Sequence, residues 1–216
     1  EATAELALGL MIAAARRLAA GDASARSGRF QYGVAPGSPL KGRTLGIVGL
    51  GRLGRLMARY GAALGMRVIA WSPNLDAGRA AEAGVALAGK RMLMETADVV
   101  SLHLVLSETT RGIIGREDIA RMKPGAILVN TARGPLVDEA AMIEALQAGR
   151  IAAGLDVYAV EPLPAGHPLL STPNTVLSPH LGYCVSENFA VFYRQSVENA
   201  LAFLDGAPIR VVNMAS

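Results

Sequence analysis

Short apolar runs alternate with segments of helical periodicity along most of the 216-residue chain. Leu45–Val48, Arg67–Trp71, Asp98–Leu104, Ala126–Val129, Ile151–Val157 and Thr175–Ser178 read as strands, rich in Val, Ile, Leu and Ala. Between them lie helical patterns. Residues 51–64 place Leu53, Leu56, Met57, Tyr60 and Leu64 on one face, and Gly65 stops the run. A Pro/Asn/Asp turn after Trp71 leads to a poorer helix and a short segment near 84–87. Residues 90–96, 116–122, 138–148 (capped by Asp138, closed by Gly149) and 187–204 complete the helical set. Strands without polar alternation are buried on both faces, as in a parallel sheet. Their regular exchange with helices specifies βαβ units, hence an α/β class with a doubly wound parallel sheet.

The two ends of the chain fall outside that alternation. Residues 4–20 predict one helix, with Thr3 as cap, Glu5 in the first turn, Arg16 and Arg17 in the last, and Gly21 beyond it. It is apolar nearly all round, so burial on more than one side is expected. Residues 21–43 read as a connecting arm that Phe30 and Tyr32 pin to another surface. The expected organisation is a connecting helix and arm over 1–40, a dinucleotide-binding domain over 41–184, and a C-terminal helix over 185–216.

The dinucleotide assignment comes from LGIVGLGRLG at 45–54. Gly49, Gly51 and Gly54 have the G-x-G-x-x-G spacing and fall between a strand and a helix. The first glycine permits the turn, the second lets a pyrophosphate approach the backbone, and the third lets helix and strand pack closely. The phosphates would sit at a helix N-terminus, where the dipole favours anions. The sheet is therefore expected to be Rossmann-type, with flanking connecting helices.

Composition narrows the function classes. Hydrophobic residues make up 51% and charged residues 18%, which excludes a disordered chain. The net charge is only +3, with no dense basic run or interleaved aromatics, so no nucleic-acid partner is expected. The longest apolar run, 6–15, is too short to span a bilayer, and no basic leader precedes it. Cys184 is the single cysteine, so no intrachain disulfide forms, and a reducing, cytoplasmic compartment is expected. No metal-ligand set is identified.

In an open parallel sheet, ligands bind beyond the carboxyl ends of the strands. The polar residues that follow strands are Ser72 and Asn74, His103, Asn130 with Thr131 and Arg133, Asp156 with Glu161, and Ser178 with His180. Arg133, Glu161 and His180 are the informative three. A guanidinium grips a carboxylate through two parallel hydrogen bonds. A carboxylate beside an imidazole orients it and stabilises its protonated form. Such a histidine can give a proton to a carbonyl oxygen and later take it back. Singly, each has a plainer reading: Arg133 as an ion-pair residue, Glu161 as a solvated acid, His180 as a loop histidine. Their joint placement after strands favours the chemical reading. Beside a nicotinamide, they suit reversible reduction of a 2-oxo acid.

The chain resembles the D-isomer-specific 2-hydroxyacid dehydrogenases. The matching segments are LKGRTLGIVGLGRLG, ADVVSLHLVLSETTRGIIG, MKPGAILVNTARGPLVDEAAMIEALQAGRIAAGLDVYAVEPLP and SPHLGY, together with AELALGLMIAAARR near the start. The resemblance implies that Arg133 binds substrate and assists catalysis, that Glu161 pairs with the catalytic histidine, and that His180 is the general acid/base. It implies that Asp156 bonds the nicotinamide carboxamide. Gly49, Gly51, Gly54 and the backbone at Arg52 and Leu53 would hold the pyrophosphate, while Thr131 and Ala132 line the cofactor. It also implies a small 2-oxo or 2-hydroxy acid as substrate and a homodimer paired through the cofactor lobe.

Two departures from the family pattern stand out. Ser72 occupies the place where members that prefer NAD carry an acid for the ribose 2′-hydroxyl, and Asp76 lies further on. The expected cofactor is NAD, with NADP open. The usual H-x-P has become His103-Leu104-Val105, and His103 reads as structural or cofactor-lining. His167, in AGHP, reads as a loop residue near the mouth. In the family a substrate lobe precedes the first helix, so the chain is expected to begin part-way through a longer protein, lacking about a hundred residues, an ordinary domain size. Alone it is expected to bind cofactor with little turnover. Two other functions stay open: an NAD(H)-responsive corepressor-like binding protein, and a formate- or phosphite-oxidising relative.

Overall fold

The computed structural model describes residues 1–212. By its internal contacts the chain divides into a unit that runs essentially from Thr3 to Gly182 and a second from Tyr183 onward.

The first unit opens with two helices where one was expected, α1 (Ala2–Ala15) and α2 (Leu18–Arg26), broken at Arg17 with φ 56°. The reason is tertiary. The carbonyl of Ala15 accepts from the amide of Ser38 at 2.8 Å, so it is not available to continue the helix. Gly37 permits that approach, since a Cβ there would lie 2.7 Å from the same oxygen. Gly21 consequently falls inside α2, and part of the expected arm is helical. Thr3 is not a cap either. It lies inside α1, and its hydroxyl donates to the carbonyl of Gly182 at 2.8 Å. Ala4, Ala7, Leu10, Met11, Ala14 and Ala15 are buried while the opposite face is not, so α1 is covered on one side only. Phe30 and Tyr32 pin nothing within the described residues and are 78% and 77% exposed.

Seven parallel strands follow: β1 (Thr44–Val48), β2 (Arg67–Trp71), β3 (Ala86–Leu87), β4 (Val99–Leu102), β5 (Ala126–Asn130), β6 (Ile151–Leu155) and β7 (Thr175–Leu177). Their order is β3-β2-β1-β4-β5-β6-β7, so the chain winds outward from β1 in one direction and from β4 in the other. Every residue of β1, β4, β5 and β6 is buried, as the unbroken apolar runs require. Helices α3 (Arg52–Ala63), α4 (Ala77–Glu82), α5 (Lys90–Thr96), α6 (Arg116–Arg121) and α7 (Glu139–Gln147) make the connections. Two cores result. One gathers Leu93, Leu102, Leu128, Leu136 and Leu146; the other gathers Met11, Leu45, Ile47, Met57 and Val129. The packing of α1 into the second core uses Gly154 on β6, where a Cβ would lie 2.9 Å from Leu10 Cβ.

The face that α3 buries differs from the expected leucine stripe. Gly54, Met57, Ala58 and Gly61 are buried, whereas Leu53, Leu56 and Tyr60 are half-buried and Leu64 is exposed. Small residues let this helix lie unusually close to β1. A Cβ on Gly54 would stand 2.0 Å from the Gly49 carbonyl oxygen, and one on Gly61 would stand 2.5 Å from a Leu45 methyl.

The strand pairing aligns the strand ends. Val48 is level with Trp71 and Leu102, Leu102 with Asn130, Asn130 with Leu155, and Leu155 with Leu177. The next residues, Ser72, Gly49, His103, Thr131, Asp156 and Ser178, therefore share one rim.

The second unit contains α8 (Ser186–Leu204). Tyr183, Phe189, Phe192 and Tyr193 cluster within it at centroid separations of 6.1–6.4 Å. No residue of α8 is buried, and Val191, Phe192, Tyr193, Val197, Leu201 and Leu204 are exposed.

The contact at Gly54 is backbone against backbone, so it cannot relax by a side-chain rotation. Gly54→Ala is expected to lower stability to urea by about 1–3 kcal/mol and to weaken NADH binding, measured by denaturation and by fluorescence titration. An unchanged unfolding midpoint and affinity would count against this packing.

Candidate active site at the strand ends

The glycine loop has the shape its spacing demands. Gly49 takes φ 99°, and a Cβ on it would press to 2.8 Å from the His103 carbonyl. Gly51 is the opposite case. It is exposed, no atom lies within 4 Å of its Cβ position, and α3 starts immediately after it with no side-chain cap. That open approach to the amide backbone at Arg52 and Leu53 fits a pyrophosphate. At the end of β5, Thr131 Oγ1 is buried and has no hydrogen-bond partner among the described residues, which fits a group lining a bound cofactor. Ala132 beside it is half-buried.

The turn that carries Thr131, Ala132 and Arg133 is held from inside by Asn130. Its side chain accepts from the Ala132 amide at 3.0 Å and donates to the Arg133 carbonyl at 2.9 Å. Arg133 is exposed and extended, and one guanidinium nitrogen donates to the Ala132 carbonyl at 2.6 Å. Gly134 is buried directly against the next loop; a Cβ there would lie 2.0 Å from the Tyr158 carbonyl carbon.

The loop after β6 brings Glu161 to His180. Glu161 Oε2 is 2.6 Å from His180 Nδ1, and Oε1 accepts from the Tyr158 amide at 2.9 Å. With Oε1 held by that amide, Oε2 is left facing the ring, so Glu161 favours the proton on Nδ1 and makes Nε2 the nitrogen for exchange. Burial works to raise the Glu161 pKa, but the hydrogen bonds from His180 and Tyr158, with the charges of His180 and Arg133, outweigh it and hold the carboxyl below its usual range. Arg133, Glu161 and His180 thus form one electrostatic group. Tyr158 fixes the loop beneath them. Its hydroxyl donates to the Ser178 carbonyl at 2.9 Å, and burial, then the charge of Asp156, push its pKa up to about 12, so it stays a donor.

Asp156 is fully buried. Its carboxylate accepts from the Ser178 hydroxyl at 2.6 Å and from the amides of Leu181 at 2.7 Å and Gly182 at 2.9 Å, while its carbonyl accepts from the His180 amide at 2.9 Å. Asp156 therefore shapes the 178–182 loop and sets His180 at φ 57°. His103 is neutral. Burial lowers its pKa to about 4, and its Nε2 is 2.9 Å from the buried Ser101 hydroxyl. Ser72 is half-buried at the end of β2. Asp76 does not face the rim as a free acid; it caps α4 by accepting from the Arg79 amide at 2.8 Å.

Sequence reasoning singled out Arg133, Glu161, Asp156 and His180; it placed Asn130 on the rim without a role and passed over Gly134 and Tyr158, and these three hold the turn and loop. Gly134 had a readable signal, a glycine in a turn directly after a buried strand. Tyr158 had none, because its partner is a carbonyl twenty residues away. Behind the pair lies an open cleft of about 510 Å³, lined by Tyr158, Pro162, Leu163, Leu170, Leu177 and Pro179 together with Glu161, Ser178 and His180.

A Rossmann sheet in this order, with an open glycine loop and an acid–imidazole pair on the same rim, defines a dinucleotide-binding domain of an oxidoreductase class. The model of the D-isomer specific 2-hydroxyacid dehydrogenase NAD binding domain matches residues 8–182. D-3-phosphoglycerate dehydrogenase of Mycobacterium tuberculosis (strain H37Rv) is 44% identical over 185 residues, which is 85% of this chain and 35% of that protein. Glyoxylate reductase of Korarchaeum cryptofilum is 42% identical over 219 residues, 99% of this chain and 66% of the relative. The crystal structure of phosphoglycerate oxidoreductase from Vibrio cholerae O395 superposes with a TM-score of 0.90 at 39% identity, covering 95% of this chain and 67% of that one. The chain belongs to the D-isomer-specific 2-hydroxyacid dehydrogenases and carries their NAD-binding domain. It spans about a third of the length of the mycobacterial phosphoglycerate dehydrogenases it matches.

The lowered Glu161 pKa makes a signed prediction. The pair contributes stability that is complete above the ordinary carboxylate range and is lost as pH falls through the depressed Glu161 value. Carbon NMR of the Glu161 carboxyl should report a midpoint below that of the exposed glutamates. His180→Gln should move it upward; a midpoint indifferent to that substitution would contradict the electrostatic grouping.

Proposed function

We propose that the chain is the cofactor-binding part of an enzyme that transfers a hydride between a nicotinamide and C2 of a D-2-hydroxy or 2-oxo acid. The observation that carries this reading is the 2.6 Å contact between His180 Nδ1 and Glu161 Oε2, with Oε1 tied to the Tyr158 amide. The bound cofactor supplies the hydride. The chain's own residues do the rest. Arg133 takes the substrate carboxylate and polarises the 2-oxo group. His180 gives its Nε2 proton to the carbonyl oxygen during reduction and takes it back during oxidation. Glu161 keeps the ring turned and stabilises its charged form. Gly49, Gly51, Gly54 and the backbone of Arg52 and Leu53 hold the pyrophosphate, with Thr131, Ala132 and Asp156 along the nicotinamide half.

The domain division at 40/41 and 184/185 belongs to the same proposal. The exposed apolar side chains of α8 support a helix that another lobe covers. Exposed Phe30 and Tyr32, on the arm after α2, support a homodimer. Among the described residues no helix is long and apolar enough to cross a membrane, and the proposed setting is cytoplasmic.

In the full-length enzyme, His180→Ala should lower kcat by about 10²- to 10⁴-fold, the range of a lost general acid. Arg133→Ala should raise KM as well as lower kcat. Near-normal kcat/KM on glyoxylate, pyruvate and hydroxypyruvate in both variants would refute the assignment.

Cofactor choice is tested separately. Ser72 leaves a 2′-phosphate unrepelled, Asp76 is engaged with Arg79, and the Arg79 guanidinium lies 3.1 Å from the Asn74 carbonyl on the same turn. We propose NAD as the main cofactor with NADP accepted. NADH and NADPH should bind within about tenfold of each other, and Ser72→Asp should disfavour NADPH by a further factor of about ten, through like-charge repulsion. Wild-type exclusion of NADPH would defeat the idea.

A further inference from the structure

The loop that carries Glu161 has a second Glu–His pair, on the far side of the same peptide turn. His167 Nε2 stands 3.3 Å from Glu139 Oε1, and both side chains are largely buried, at 18% and 23% exposed. The other oxygen, Oε2, accepts from the Ala159 amide at 3.2 Å. Adjacent amides thus point to two glutamates: Tyr158 N–H to Glu161, Ala159 N–H to Glu139. Glu139 is the first residue of α7, just after the Asp138 cap, so it is fixed to the sheet side of the fold.

The proton position on His167 follows from its neighbours. The Leu169 amide donates to His167 Nδ1 at 3.3 Å, so that nitrogen carries the lone pair. The ring proton of the neutral form is on Nε2, facing Glu139. His167 therefore does two things at once. Nδ1 caps the short 3-10 turn Pro168–Leu170, which anchors buried Leu169, and Nε2 places the ring edge beside the Glu139 carboxylate, an electrostatic contact that holds the turn near α7. Between Tyr158 and Leu169 the loop is otherwise mostly exposed, and Glu161 lies in its exposed part.

We infer that Glu139 and His167 are positioning residues for the proton-transfer pair: they hold the 158–169 loop at both ends, and so hold Glu161 against His180. This rests on the assignment of His180 and Glu161 proposed above. Neither Glu139 nor His167 touches the reacting atoms. Their effect passes through the Tyr158–Ala159 peptide, which already lies against Gly134 with no room for a Cβ between them.

The test uses substitutions that separate the two jobs of His167. An asparagine side chain at this position can still cap the Leu169 amide but is too short to reach Glu139, so His167→Asn keeps the turn and cuts the tie. His167→Gln keeps an N–H within reach of Glu139 and should restore part of the function. Glu139→Gln removes the negative charge that His167 Nε2 faces while leaving an oxygen for the Ala159 amide. The chain has only three histidines, His103, His167 and His180, so two-bond 1H–15N correlation of the rings reads the tautomer of His180 directly. In His167→Asn and in Glu139→Gln, the His180 Nδ1–H signature should weaken in the purified chain. In the full-length enzyme kcat should fall about tenfold, with KM for the 2-oxo acid within about twofold. His180 signals that stay at wild-type values in either variant, with the thermal midpoint retained, overturn the inference. Absence of turnover in wild type would instead remove the assigned activity, while the ring signals still decide whether Glu139 and His167 position His180.

Discussion

Nothing larger than a hydrogen fits between Gly134 and the Tyr158–Ala159 peptide, and the candidate site depends on that closeness. The contact joins the turn after β5 to the loop after β6. Through it, Arg133 comes near enough to Glu161 to help depress its pKa. The backbone there then commits two successive amides to carboxylates, Tyr158 N–H to Glu161 and Ala159 N–H to Glu139. A single Cβ at Gly134 would separate the guanidinium from the acid–imidazole pair without altering any of the three side chains.

A buried acid performs the equivalent service for His180. The carboxylate of Asp156 gathers a hydroxyl and two amides from residues 178–182, and its carbonyl takes the His180 amide. A buried charge is tolerated only when it is richly hydrogen-bonded. That requirement makes the loop rigid, because releasing any donor leaves the charge less satisfied. Rigidity here serves the histidine, which sits at a positive φ that a β-carbon disfavours. Strain at that position is carried by the Asp156 network and by the Tyr158 hydroxyl on the Ser178 carbonyl.

Much of this was legible in the chain, and the reasons are specific. Unbroken apolar runs announced strands buried on both faces, and the in-register strand ends converted sequence order into a shared rim. Arg133, Glu161, Asp156 and His180 could be placed on that rim because each follows a strand in the sequence. The breaks came where a distant partner overrides local preference. The pattern over 4–20 is helical throughout, yet Ser38 takes the Ala15 carbonyl and the helix divides at Arg17. Likewise α3 looks like a leucine-faced helix, but its buried side is Gly54, Met57, Ala58 and Gly61, because the glycine loop lies too close for leucine. Periodicity reports which residues are apolar; it does not report how near the neighbouring backbone comes.

The same distinction separates the residues proposed to react from those that hold them. Reacting groups are chosen for pKa and hydrogen-bonding type, so their chemistry is visible in their identity. Holding groups are chosen for geometry. Asn130, Gly134, Tyr158 and Glu139 are ordinary residues whose roles exist only in the folded chain: Asn130 through the turn just after it, Tyr158 and Glu139 through partners elsewhere along the sequence, and Gly134 through the space a side chain would need. His167 illustrates both kinds. As a titratable ring near the mouth it invites a chemical role, but the Leu169 amide on Nδ1 and Glu139 at Nε2 occupy both nitrogens. A histidine whose two ring nitrogens both face partners within its own fold contributes geometry, because the lone pair on Nδ1 and the edge at Nε2 are already directed at the protein.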